Sequence, residues 1–119
     1  MLTPTLHTQP FLRNLIKRAV HVWQIPPAAI YRAAGREARQ ARIAVFAIAY
    51  ADGCQQSDLA NAFGWSGAGR RNFSPHEVGR SHETYLVDAD YHTRFTELTL
   101  HARTLTNVST IQRIACAAA

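Results

Sequence analysis

Residues 36–53, REARQARIAVFAIAYADG, constrain this chain more than any other stretch. Their second half, IAVFAIAYA, is apolar on every side of a helical wheel, and such a helix is stable only when other elements surround it. Gly35 precedes the stretch and Asp52-Gly53 close it, a start and a glycine stop for a helix from about Arg36 to Ala51. The first half is basic. Arg36, Arg39 and Arg42 recur every three residues and so are expected on one face, projecting from the core.

The remaining elements have to wrap that helix. Leu12, Leu15, Ile16, Ala19, Val20 and Trp23 fall at helical spacing from Phe11 onward, with Arg13, Lys17 and His21 opposite. Pro26-Pro27 end that helix, and Pro27 opens a short one through Tyr31. Residues 1–9, with Pro4 and no periodicity, read as a flexible lead. Between Gln56 and Phe63 lies a short helix with Ser57 as its N-cap candidate and Leu59, Ala60 and Phe63 as its apolar side. Ala60 and Gly64 suit a tight helix-turn-helix, where two helices approach closely. The second helix of that unit cannot easily begin at Ser66, because Gly67 and Gly69 would each cost roughly 1 kcal/mol inside it. Ser74-Pro75-His76-Glu77 is a better start, a capping box with proline at the first helical position. A helix from Pro75 to about Val87 is expected to bury Val78, Tyr85 and part of Leu86. His76, Arg80 and Glu83 then face outward, and Gly79 marks a weakness or a close approach. Asp88 begins a helix with Tyr91, Phe95, Leu98 and Ala102 on its apolar face, and Asn107 caps a last short one carrying Val108, Ile111 and Ile114. No strand pattern is found. The expected fold is all-α, a small helical bundle with a helix-turn-helix, divided as lead 1–9, helical domain 10–104 and short helix or tail 105–119.

Charge narrows the function. The net charge is +5, and twelve of the thirteen basic residues are arginine, which meets phosphates and guanine edges bidentately. Seven basic residues and one acid precede Ile43, so one end of the fold is basic, as expected of a surface that meets a polyanion. Arg70-Arg71-Asn72 lie just before the helix that starts at Pro75, placing two guanidinium groups beside its tip. Cys54 and Cys116 stand alone, without zinc-site or disulfide spacing. The longest apolar run, Ile43–Ala51, is nine residues, less than half of the roughly 20 needed to cross a bilayer. The N-terminus lacks a signal peptide's features, and a cytoplasmic protein of a bacterium or phage is expected. His76, His82 and His92 have no HExxH spacing, and no GxSxG, Cys–His pair or framed carboxylate pair occurs. Neither catalysis, nor a metal, nor a small-molecule cofactor is expected.

With those residues in place, the chain resembles the C-terminal DNA-binding domain of the replication initiator DnaA, a helical bundle with a Trp-repressor-like helix-turn-helix. EARQARIAVFA (Glu37–Ala47) resembles the family's "R…AR-x-x-A-x-x-L" helix, and SDLANAFG (Ser57–Gly64) its "S-L-x-x-I-G-x-x-F-G". RNFSP (Arg71–Pro75) stands at its "R-D-H-S/T-T-V" signature, with Asn72 and Phe73 for Asp and His and Pro75 for the second Thr. DADYHTRF (Asp88–Phe95) resembles the "D-P-x-F-x-x-R" of short stand-alone relatives. GRSH (Gly79–His82) is a competing match to the signature that needs large compensating gaps. The turn after Gly64 is longer than the family's, and no P-loop is present. The resemblance spans about residues 11–104. It implies double-stranded DNA as partner, with Asn72, Ser74 and His76 facing bases and Arg36 entering the minor groove. Arg39, Arg42, Arg70 and Arg71 would meet phosphates, Arg80 guanine, and the role would be regulation of transcription or replication. The alternative is a helical module that keeps the bundle but binds a protein. In either case the tail can support a homodimer.

Overall fold

The computed structural model describes the backbone of residues 5–64 and 74–118 and the side chains of residues 8–64 and 74–105. Its helices are α1 (Thr5–Trp23), α2 (Pro27–Arg32), α3 (Arg36–Ala51), α4 (Gln56–Phe63), α5 (Pro75–Tyr85) and α6 (Ala89–Ala118). Among the described residues there is no strand, so the all-α expectation holds. Arg70, Arg71 and Asn72 lie outside the described residues.

α3 is the central element its composition requires. Ala41, Ala44, Val45 and Ala49 are fully buried, and Ala38, Phe46 and Ile48 nearly so. Their small side chains let neighbouring helices come close. α1 runs antiparallel to α3: Trp23 Nε1 donates to Gln40 Oε1 at 3.5 Å near one end, and Phe11 borders the same groove as Ala47 and Ile48 near the other. α1 is also antiparallel to α6, with the Trp23 and Tyr91 rings 6.0 Å apart and Phe11 beside Thr99 and Ala102. α3 and α6 therefore point the same way and begin at the same end of the bundle. Leu12, Leu15, Ile30, Leu59 and Leu98 are fully buried around them, each worth roughly 1.5–3 kcal/mol of transfer free energy.

Local chemistry sets the boundaries, in places differently from the sequence expectation. α1 starts at Thr5, six residues before Phe11, with Pro10 inside it. So close to the helix end, Pro10 gives up one bond, to the Leu6 carbonyl. Beside it Thr8 is buried and Gln9 Nε2 donates to the Asp58 carbonyl at 3.0 Å, contacts that periodicity cannot reveal. α4 is capped at Gln55, whose N–H donates to Asp58 Oδ2 at 2.8 Å; Ser57 is already inside the helix. Phe63 is edge-on to Phe46 at 5.3 Å and to Tyr31 at 5.4 Å. Gly64 is the left-handed C-cap of α4 (φ 69°), and a Cβ there meets nothing within 4 Å among the described residues. Its left-handed backbone conformation by itself favours glycine there. α6 is one unbroken helix of 30 residues where a break at Asn107 was expected. No Gly or Pro occurs between Ala89 and Ala118 to stop it, and an N-cap residue alone does not end a helix that is already propagating.

Candidate nucleic-acid interface

The expected outward helix is α5, and its start is built as its sequence predicts. Ser74 is the N-cap, its Oγ accepting from the Glu77 N–H at 3.4 Å, and Pro75 opens the helix. The Ser74 hydroxyl also reaches Glu77 Oε1 at 3.5 Å, so this side chain is engaged in capping. α5 packs on α3, and Val78 is its one buried residue, at 1 % exposure. One and two turns later His82 and Tyr85 complete the seat. His82 Nδ1 lies 2.8 Å from Tyr91 Oη, and its ring is 4.3 Å from that of Phe95. Tyr85 and Tyr91 are 5.3 Å apart. Burial holds the His82 imidazole below its ordinary value and raises the Tyr91 phenol, so both are neutral at pH 7. His82 was not among the residues expected to be buried, although its spacing from Val78 and Tyr85 is the signal that could have found it.

Among the described residues the other side of α5 is open. His76, Glu77, Arg80 and Glu83 are exposed, and a cleft of about 310 Å³ runs beside Glu77, Arg80, Ser81 and Thr84. Gly79 lies on this side, and a Cβ there meets nothing within 4 Å among the described residues. No neighbour among the described residues requires it to be glycine.

The three arginines of α3 separate. Arg42 turns back to α2: its Nε and Nη2 donate to the Ile30 carbonyl at 3.0 and 2.8 Å, and Nη2 donates to the Tyr31 carbonyl as well. Its guanidinium lies 5.7 Å from the Phe63 ring centre. It caps the end of α2, where the chain turns through Ala33 at φ 52°. Arg39 is exposed. Arg36 is exposed too, yet its Nη2 donates to Asp88 Oδ2 at 2.5 Å. The same carboxylate uses Oδ1 to accept from the N–H of Asp90 (2.9 Å) and of Tyr91 (3.4 Å), capping α6. Those backbone donors, Tyr91 first, and the Arg36 charge hold the Asp88 carboxyl below its ordinary range. Asp88 thus ties the basic start of α3 to the start of α6, just past the end of α5. Ser74 and His76 lie at the opposite end of α5, which at 11 residues is about 16 Å long.

Among the described residues no group of His, Cys, Asp or Glu could hold a metal ion. Burial pushes the Cys54 thiol up to about 12, with Asp52 and Asp58 adding to the effect, so it is a poor nucleophile. No described helix is long and apolar enough to cross a membrane. Comparison with protein-family models, with curated proteins and with solved structures gives no match.

Proposed function

We propose that this protein binds double-stranded DNA through α5 and the start of α3, as the resemblance to the initiator's DNA-binding domain implies. One observation carries the reading. α5 packs on α3, which carries exposed Arg36 and Arg39 at its start, so one element supports both the outward helix and the basic end. In this reading the turn arginines Arg70 and Arg71, with Arg39, neutralise phosphates. The first N–H groups of α5 help to position the backbone. His76 and Arg80, with Asn72 from the turn, face base edges, where a bidentate Arg–guanine contact discriminates by about 1–3 kcal/mol. Arg36 reaches the minor groove after exchanging Asp88 for the duplex. Arg42 is set aside as a phosphate contact because its donors are committed to α2. A role in regulating transcription or replication follows from sequence-specific DNA binding and stands or falls with it.

The exposed acids Glu77 and Glu83 favour a second reading, a protein partner docking on α5. Fluorescence anisotropy with random and initiator-box duplexes across a salt series separates the two. DNA binding predicts a steep negative slope that falls by about 1.8 when Arg70 and Arg71 are both replaced by alanine. Tighter binding to the box would mean that the family's readout survives the altered signature. Folded protein that binds neither duplex at about 100 mM salt would refute the DNA reading and leave the protein partner.

A further inference from the structure

We infer that the outer face of α1 is a second, sequence-independent surface for duplex DNA, so that one chain can hold two duplex segments. The inference rests on the reading of α5 and the start of α3 as the first surface. Pro10, Arg13, Asn14, Lys17 and His21 are all exposed and at 3.6 residues per turn fall within about 100° of arc. Leu12, Leu15, Ile16, Ala19 and Trp23, on the other side of the helix, are buried.

The face has one sign of charge. α1 contains no Asp or Glu, and the first acid of the chain is Glu37. Arg13 and Lys17 stand one turn apart, about 6 Å along the axis, and like charges at that spacing weaken a helix. A helix face kept only for solubility alternates its signs, so that each cation has an acid one turn away. Nor do the neighbouring helices supply the missing acid. Glu97 of α6 approaches α1 but faces Arg18 at 3.8 Å. Asp58 of α4 lies where Gln9 donates to its backbone carbonyl, and its carboxylate caps α4 at Gln55. Among the described residues Arg13, Lys17 and His21 have no hydrogen bond or ion pair.

A polyanion is the partner this chemistry fits. Arg, Lys and Asn are donors to phosphate oxygens, which position a duplex without reading its sequence. The apolar side of α1 is spent on the core, so the helix has none to lay into a bilayer interface. Its place in the fold makes the surface a separate one. α1, α3 and α6 pack on one another. α5 packs on α3 and meets α6 through His82 against Phe95 and Tyr85 against Tyr91. It therefore lies across the α3–α6 pair from α1, and the two exposed faces look away from each other. A straight duplex docked on α5 leaves the α1 face open to a second one.

The test uses the full chain and two short random duplexes, one with a donor dye and one with an acceptor. At about 50 mM salt the native chain should bring them together and produce energy transfer, which an excess of protein should disperse. Arg13→Gln/Lys17→Gln should cut the transfer about tenfold and lower its salt slope by about 1.8. Anisotropy should still show one duplex bound, and circular dichroism an unchanged melt. Arg13→Lys/Lys17→Arg, which keeps both charges, should behave as the native chain. One duplex bound without transfer, or transfer indifferent to the Gln variant, overturns the inference and leaves the α5 reading standing. A folded native chain that binds no duplex overturns both. Loss of all binding in the Gln variant, with Arg70→Ala/Arg71→Ala unaffected, would make α1 the sole surface and overturn the two-surface arrangement.

Discussion

Replacing Arg42 by alanine separates a structural arginine from a DNA-binding one. The side chain makes two donations to the Ile30 carbonyl, at 3.0 and 2.8 Å, and a further one to the Tyr31 carbonyl. A hydrogen bond to a charged group is worth about 1.5–3 kcal/mol, and the guanidinium over the Phe63 ring adds about 0.5–1. Against this, Tyr31 is 41 % exposed, so water replaces part of what its carbonyl loses, and burying the guanidinium itself carries a cost. A net loss of roughly 2–3 kcal/mol remains, which for a domain of this size lowers Tm by about 8–12 °C. Arg42→Lys should recover less than half, because an ammonium cannot fork to two carbonyls. Urea and thermal unfolding followed by circular dichroism read both numbers. The salt slope of duplex binding by the folded Ala variant should be unchanged, whereas Arg39→Ala should reduce it by about 0.9. A stability change below about 0.5 kcal/mol, or a slope that falls with Arg42→Ala, would refute the assignment of Arg42 to the α2 cap.

Three further outcomes are expected. Gly79→Ala should raise stability by about 0.5–1 kcal/mol in chemical denaturation, since the site is exposed, helical and open to a Cβ; weaker duplex binding by the same variant would locate a close approach of the duplex at this position. His82 and His101 are both held below the ordinary imidazole value by burial, so the unfolded chain binds more protons near neutral pH. Their contribution is complete above about pH 6.5 and declines as pH falls toward their folded values; melts between pH 7.5 and 5 should show the decline, and His82→Asn should flatten it. Asp88→Asn retains an oxygen to cap α6 but removes the charge facing Arg36. If Arg36 meets DNA, random-duplex affinity should rise and the salt slope should steepen by about one; an unchanged slope would exclude Arg36 from the interface.

The pattern of residues by itself determined much of this protein. Apolar periodicity and end signals place α3 at Arg36–Ala51, start α2 at Pro27 and α5 at Pro75, and assign Tyr91, Leu98 and Ala102 to the core, because helix burial and capping are local in sequence. What depended on contacts across the chain was legible only in the fold. Three arginines at equal spacing share a face on a wheel, yet Arg42 bonds to α2 and Arg36 to Asp88, while Arg39 is exposed. His82 is an ordinary polar residue in sequence and becomes a seat for α5 because Tyr91 and Phe95, nine and thirteen residues on, fold back against it. α1 begins before Pro10, and there Gln9 reaches a carbonyl 49 residues away. Spacing fixes which residues can share a face; only tertiary structure fixes what meets that face, since a charge or a ring goes to the partner that desolvates it at least cost.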